Sequence, residues 1–254
     1  MLDVLLYPVS SVLQLWHTVL SSVLDPSGGA AWTLAVVLLV ATLRALLVLP
    51  GLRQLSSARR AHALRPQLAA LRTQHGADRQ ELARRTLELQ RQHGVGPVAA
   101  LLPALVQAPV VLGLYHVLTQ LSRAPEAVGV GALDPTEVHS FLHASLVGTP
   151  LSAGSGAVVV GVLLLAGLLS HLTARAALRR QPPEPGPAEL VGRLSLWVLP
   201  AFPLLGALVL GLPLAVGVYW VSTAAWTLAQ TAVLHRVLDG RDGRRATPLP
   251  RPAG

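Results

Sequence analysis

Cysteine and lysine are both absent from this chain of 254 residues, and the acidic residues number only 12. Without cysteine the protein has no disulfide framework and no thiolate chemistry. Only 13% of the residues are charged, about half the share that a soluble globular domain carries. The scarcity of charge therefore argues against an ordinary soluble domain.

Hydrophobic residues make up 52% of the chain, and its mean hydropathy is +0.54. They fall in long runs that approach the length needed to cross about 30 Å of hydrocarbon. The formal net charge of +8 is compatible with nucleic-acid binding, but the placement of the twenty arginines fits membrane orientation better. We therefore predict an integral membrane protein with no nucleic-acid specificity.

The apolar pattern predicts an all-α polytopic fold, a bundle of five transmembrane helices within one domain spanning residues 1–254. An interfacial amphipathic helix precedes the bundle, and a cytoplasmic helical hairpin interrupts it. The predicted segments are the interfacial helix 2–24, spans 32–50, 98–121, 152–173, 194–210 and 214–235, the hairpin 53–93, the extracytoplasmic segment 122–151, the cytoplasmic loop 174–193 and the cytoplasmic basic tail 236–254.

Three local features refine this prediction. Trp32 stands at the start of the first span, where an interfacial anchor is expected. Asp78 followed by Glu81 resembles a helix N-cap with its capping-box partner in the hairpin. Only residues 211–213 separate the last two spans, which predicts a tight antiparallel pair.

The first helix has one oily stripe, which favours a position in the interface plane over a slightly polar span. Its opposite face carries Ser10, Ser11, Gln14, His17, Thr18, Ser21 and Ser22.

Arginine is distributed unevenly around the five predicted spans. Eighteen arginines lie in the hairpin, the 174–193 loop and the tail, whereas Arg123 alone lies on the other side. Positive charge is retained on the cytoplasmic side of membranes. We therefore predict a multi-pass protein of the plasma (inner) membrane with its N-terminus outside and its C-terminus in the cytoplasm.

Arg44 lies inside the first predicted span, and no predicted span contains Asp or Glu to pair with it. An arginine at the centre of a lipid-facing helix costs roughly 2.5–3.5 kcal/mol on insertion scales. One interpretation is a boundary residue that snorkels towards the cytoplasm. The other interpretation is a hydrated groove lined by Arg44 with Thr42, Gln107, Ser222 and Gln230. The presence of polar residues in several spans favours this second interpretation.

Other polar residues and motifs point to no chemistry. Trp220 and Trp226 are typical packing residues, and the spacing of His116, His171 and His235 makes no metal site. Neither the zinc-protease nor the serine-hydrolase motif is present, and no span carries paired carboxylates. We expect neither an enzyme nor a metal, cofactor or small-molecule substrate.

Five motifs in order resemble the YidC-type membrane protein insertases, in the short bacterial form of Gram-positive and actinobacterial species. They are LRALLVLP at 43–50, the hairpin with LRPQL at 64–68 and RQHGVGP at 91–97, LPALVQAP at 102–109, GTPLS at 148–152, and the final span with Tyr219, Trp220, Trp226 and Gln230. The resemblance covers nearly the whole chain.

The resemblance implies a groove open to cytoplasm and lipid but closed towards the exterior, with Arg44 as the groove charge and Trp220 touching the substrate. Val40 stands where some members have a groove threonine, so this chain departs from the family pattern there. The implied partners are nascent membrane proteins and lipids, with the Sec channel and the ribosome as further ones. Ribosome or partner contact would use the hairpin arginines Arg59, Arg60, Arg84 and Arg85.

Two alternatives remain open at this point. A small transporter or channel would share the polytopic fold, although coupled transporters usually carry an intramembrane carboxylate. An accessory factor that packs against the Sec channel without inserting proteins would share much of the sequence.

Overall fold

The computed structural model describes residues 3–48, 60, 63–76, 78–94, 97–180 and 187–245. This part is mostly helical, as predicted. The helices are α1 Asp3–Ser21, α2 Gly29–Leu46, α3 Arg65–His75, α4 Arg79–Gln92, α5 Pro97–Arg123, α6 Pro135–His143, α7 Ala157–Arg180, α8 Pro187–Leu210 and α9 Leu214–Arg245, and the strands are β1 Ser145–Leu146 and β2 Thr149–Pro150.

The chain forms two compact units, one of residues 1–5 with 42–114 and the other of residues 6–41 with 115–254. In the first unit α3 and α4 pack together as a hairpin. The carboxylate of Asp78 accepts hydrogen bonds from the backbone N–H groups of Gln80 and Glu81, both at 3.0 Å. The predicted N-cap is thus confirmed, while the Glu81 side chain accepts a bond from Arg85 instead.

Within the described residues, two helices are long and apolar enough to cross a membrane. They are Gly29–Leu46, with a mean hydropathy of 1.9, and Ala157–Arg179, with 2.2. Only 33% and 22% of their residues are buried within the protein, so most of their apolar surface needs a lipid environment. Helices α5, α8 and α9 cover the other three predicted spans, and the five-span bundle stays a prediction.

In the second unit α7 packs against both α8 and α9. Gly211, with a φ of +58°, lies in the short connection of residues 211–213 between α8 and α9, and their tight antiparallel pairing stays a prediction. Backbone N–H groups of Leu214 and Ala215 donate to the carbonyls of Ala153 (2.8 Å) and Leu151 (2.9 Å). These bonds fix the start of α9 to the segment that precedes α7.

The predicted extracytoplasmic segment contains α6 and a β-ribbon that the sequence pattern did not predict. The two strands pair antiparallel, with Ser145 opposite Pro150 and Leu146 opposite Thr149. Both residues of the connecting turn, Val147 and Gly148, have a positive φ, which the tight type I′ hairpin turn requires.

Part of the polar side of α1 points into the protein, whereas Ser11 and Thr18 on the same side are exposed, and the predicted position of this helix in the interface plane stays a prediction. Ser10, Gln14 and His17 recur at helical spacing, and Ser10 and His17 are buried. Ser10 Oγ accepts a bond from Ala132 N at 2.9 Å, and Gln14 Nε2 donates to Glu137 Oε2 at 2.9 Å. These polar residues are satisfied by protein partners, while Leu15 and Val19 are exposed.

Trp32 is fully buried, so its predicted role as an interfacial anchor is wrong. Its ring stacks on His17 at a centroid distance of 3.7 Å and meets the edge of Phe141 at 5.3 Å. The indole Nε1 donates to Ser140 Oγ at 3.0 Å, and that hydroxyl donates to the Pro26 carbonyl at 2.8 Å. We call residues 6–21 of α1, residues 124–134 and α6 the cap layer; Trp32 anchors α2 to it.

Helix α6 is held by a capping box at its N-terminus. Asp134 Oδ1 accepts from Glu137 N at 2.8 Å, and Glu137 Oε2 accepts from Asp134 N at 2.9 Å. The hydroxyl of Thr136 also donates to Asp134, and this bond, followed by the bond from Glu137 N, lowers the pKa of Asp134 below 3.8. The buried side chains of Val138 and Phe141 hold the opposite face of the helix.

Gly29 allows α2 to begin directly against β1. A Cβ atom added at Gly29 would lie 1.7 Å from the Ser145 carbonyl oxygen, which belongs to the backbone and cannot rotate away. We expect Gly29→Ala to lower the free energy of unfolding by about 1–3 kcal/mol or more, as overpacking does. Thermal unfolding in detergent micelles measures the change.

Gly161→Ala is the matched control, because a Cβ there meets nothing within 4 Å. It should leave stability unchanged or raise it by about 0.5–1 kcal/mol, since alanine favours helix. Equal effects of the two substitutions would contradict the close approach of α2 to β1.

Acid should weaken α6 through Asp134. Because the folded pKa is lowered, the stabilisation is fully present above the unfolded pKa near 3.8 and is lost as the pH falls through the folded pKa. We expect hydrogen exchange of the α6 amides, corrected for intrinsic rates, to accelerate below pH 3.8. Asp134→Asn, which still caps a helix, should remove this acceleration; an unchanged profile would count against Asp134 as the group responsible.

Candidate groove residues

Arg44 lies in the last turn of α2 and is half-buried. Positive charge is favoured at a helix C-terminus, because the last carbonyls carry partial negative charge. The Arg44 carbonyl itself accepts a bond from Leu47 N at 3.2 Å. The residue is therefore at the end of a membrane-length helix and does not lie fully exposed on its surface.

Thr42 shares α2 with Arg44 but projects from a different side of it. Residues two apart on an α-helix are separated by about 200°. Both side chains are half-buried, whereas Leu46 is exposed. Val40, at the position where the resemblance leads one to expect threonine, is buried.

Two predicted site residues lie outside the described side chains. Gln107 belongs to α5, but only its backbone is described, and Arg59 lies outside the described residues altogether. Their predicted roles remain predictions.

Helix α9 gathers polar and aromatic residues on one face. Tyr219, Thr223, Thr227 and Gln230 recur at spacings of three and four, and residues so spaced lie on the same side of a helix. Tyr219 is buried and the others are half-buried, whereas Ala225, Ala229 and Ala232 on the other side are exposed. We call the first set the polar face of α9.

Trp226 adjoins this face and binds one of its members. Its indole Nε1 donates to Gln230 Oε1 at 2.9 Å, across one helical turn. The bond between Trp226 and Gln230 was not predicted from the sequence. The spacing of four between these two residues could have predicted it, because residues four apart meet on a helix surface.

Trp220, the predicted substrate-contacting residue, is half-buried and lies at the margin of the polar face. Nearby hydroxyls are bonded within the helix: Ser222 donates to Val218 O and Thr227 to Thr223 O, both at 2.8 Å. The hydroxyls of Ser222 and Thr227 therefore already have acceptors beside the aromatic surface. Such a surface can contact an apolar segment without leaving its own donors unsatisfied.

The hairpin arginines are solvent-exposed where they are described. Arg60, Arg84 and Arg85 are exposed, and Arg85 Nε contacts Glu81 Oε1 at 2.7 Å. This hydrogen bond from Arg85 lowers the pKa of Glu81, and the same pair raises the pKa of Arg85. Arg84 and Arg60 are thus available to anionic partners on an accessible surface.

A cavity of about 480 Å³ lies in the second unit beside the end of α5. Its lining includes His116, Gln120 and Arg123 together with residues 128–130. Gln120 Nε2 donates to His116 Nε2 at 3.0 Å. The sequence alone did not predict this cavity.

A family model described as 60Kd inner membrane protein matches residues 23–241. The chain is 35% identical to the membrane protein insertase YidC of Mycolicibacterium paratuberculosis, over 99% of this chain and 82% of the relative. It is 36% identical to YidC of Mycobacterium tuberculosis, over 99% and 79%. The membrane protein insertase MisCA of Bacillus subtilis is 28% identical, over 86% and 74%.

Proposed function

The chain belongs to the YidC family of membrane protein insertases, and from that premise we propose how it inserts its substrates. A nascent hydrophobic segment enters a hydrophilic groove from the cytoplasm and passes sideways into the bilayer, either alone or together with the Sec channel. Burial of the segment's apolar side chains in lipid drives the final step. The process is noncovalent and requires no nucleotide.

The polar face of α9 is the observation that carries this proposal. It is half-buried, whereas the alanines on the other side are exposed, so the polar side is the one turned towards protein. Polar residues in membrane helices face cavities or neighbouring helices, because lipid cannot bond them. We assign this face, with Trp220 and Trp226 beside it, to the groove wall.

Arg44 supplies the groove charge in this proposal. With the N-terminus outside, α2 runs inwards and its last turn lies towards the cytoplasm. The short polar leader of a substrate is often acidic, and a guanidinium at the groove entrance attracts it more strongly where the surroundings have a low dielectric constant. Thr42 and Gln107 are further groove residues in the proposal.

The cap layer closes the route on the outer side. Trp32, Phe141 and Leu13 are fully buried there, and the polar groups of α1 are bonded to residues about 120 positions further along the chain. A layer packed in this way leaves no open channel through the protein for a polar leader. In a cell that is negative inside, the membrane potential favours outward movement of an acidic leader by about 2.3 kcal/mol per charge for every 100 mV.

Removing the charge of Arg44 tests its role. We expect Arg44→Ala to slow insertion of a single-span substrate with an acidic leader by about tenfold, since a hydrogen bond to a charged group contributes about 1.5–3 kcal/mol and 1.4 kcal/mol is tenfold. Insertion into vesicles containing the purified protein is measured by protease protection.

Two controls accompany that experiment. Arg123→Ala removes an exposed arginine that the proposed topology puts outside, and it should not slow insertion. A substrate whose leader has been neutralised should be nearly insensitive to Arg44→Ala. Equal slowing for acidic and neutral leaders would show that Arg44 does not act through its charge.

Crosslinking tests the assignment of the α9 faces. A photo-crosslinking residue at position 223, on the polar face, should capture a ribosome-bound nascent single-span chain. The same residue at position 225, on the exposed alanine side, should capture mainly lipid. Yields from the two positions are compared on gels, and equal capture of the nascent chain would contradict this assignment.

A further inference from the structure

Three side chains that can bind metals converge on the surface of the cap layer. His139 and His143 are four residues apart on α6 and therefore share one face, and Glu126 comes from the segment after α5. One donor atom from each residue lies within 4.8 Å of the other two. In the described part of the chain this is the one such group of three histidine or acidic residues, and all three are solvent-accessible.

The spacing of these groups suits a shared ion better than direct hydrogen bonds. His139 Nε2 lies 3.8 Å from Glu126 Oε2, and His143 Nε2 lies 3.9 Å from Glu126 Oε1, beyond hydrogen-bond length. Two donors on one zinc ion, each at about 2.0–2.2 Å, are roughly 3.3 Å apart in a tetrahedron. Small rotations of exposed side chains would close that difference.

The proton positions on His143 favour metal binding. Its Nδ1 lies 2.9 Å from the His139 carbonyl oxygen, and because a carbonyl only accepts, Nδ1 carries the proton. In the neutral ring the lone pair is then on Nε2, the atom that faces Glu126. Histidine ligands of metals commonly donate their other ring N–H to a carbonyl in this way.

The scaffold behind the two histidines is rigid. Their rings stack at 4.2 Å with an angle of 26° between planes, so both project in the same direction. Helix α6 is fixed by its capping box and by the buried side chains of Val138 and Phe141 on its other face. Ligands on a preorganised helix lose less conformational freedom when they bind an ion.

We propose that Glu126, His139 and His143 form a binding site for a divalent transition metal, with Zn²⁺ as the best-suited ion. Two imidazoles and a carboxylate suit zinc and leave a fourth position to water. The ion joins the segment after α5 to α6 and so stabilises the cap layer. We assign it no hydrolytic role, because Ser140 stands where the zinc-protease motif has its general-base glutamate.

Cobalt binding tests the site directly, because Co²⁺ replaces Zn²⁺ and absorbs visible light when four-coordinate. The full chain, purified in detergent without a histidine tag and stripped with EDTA, is titrated with Co²⁺ and then with Zn²⁺. We expect about one Co²⁺ per chain, displaced by Zn²⁺. Removing a residue that merely hydrogen-bonds to a metal ligand weakens metal affinity by about 10–100-fold. Removing a ligand itself should weaken it at least as much, so we expect His139→Ala, His143→Ala and Glu126→Gln each to lower cobalt affinity at least tenfold.

His93→Ala is the matched control. His93 is exposed and its Nδ1 also lies 2.9 Å from the carbonyl four residues earlier, that of Leu89, yet it belongs to no such cluster among the described residues. Its substitution should leave cobalt affinity unchanged. Thermal unfolding of each variant without metal confirms that it is folded, and Glu126→Gln, which keeps the side-chain shape, retains the test if a histidine variant unfolds.

A second measurement is independent of the absorption signal. Zn²⁺ should slow hydrogen exchange in residues 124–143 of the parent protein but not in Glu126→Gln. Absence of cobalt binding, or equal binding by the parent and the three cluster variants, would overturn the proposal.

Discussion

Hydrocarbon offers no hydrogen-bond partner, so polar groups on membrane helices must be bonded within the protein. This constraint is visible along the helices. The hydroxyls of Thr119, Thr173, Ser222 and Thr227 each donate to the carbonyl four residues earlier. Serine and threonine residues bonded in this way are compatible with lipid or with apolar packing. The position of a polar route is therefore set by arginine, glutamine and indole side chains instead.

The same constraint applies to three polar residues of α1 that point inwards. Ser10, Gln14 and His17 would be solvated on the surface, but in the cap layer they bond to Ala132, Glu137 and the Pro26 carbonyl. Each bond joins parts of the chain that only the fold brings together. Because a buried polar group without its partner costs about 1–3 kcal/mol, this network disfavours any slippage of α1 along α6 and keeps the layer around Trp32 closed.

The sequence was sufficient for the features that depend on local pattern. Apolar runs predicted the helices, Asp78 predicted its cap, and Gly211 lies in the predicted short turn. It was insufficient where the partner of a residue lies far along the chain. A tryptophan at the end of an apolar run, such as Trp32, gives the same sequence pattern whether its ring contacts lipid headgroups or Phe141. The spacing of His139 and His143 points to a metal site only once the fold brings Glu126 beside them. The predicted groove depends on such distant contacts too, so the positions of Arg44, Gln107 and Trp220 in it remain a proposal.

The ends of the helices bear on the orientation of the chain. A helix C-terminus favours cations whichever way the helix runs, so the dipole alone would put arginine at the end of every span. Arg44 lies in the last turn of α2, Arg180 ends α7 and Arg245 ends α9, and these three helices run inwards in the proposed topology. The last turn of α8, which runs outwards, carries no basic residue, and α5 ends at Arg123 alone. The dipole does not distinguish α8 from α7, whereas retention of positive charge in the cytoplasm would; an N-terminus outside the cell stays a prediction.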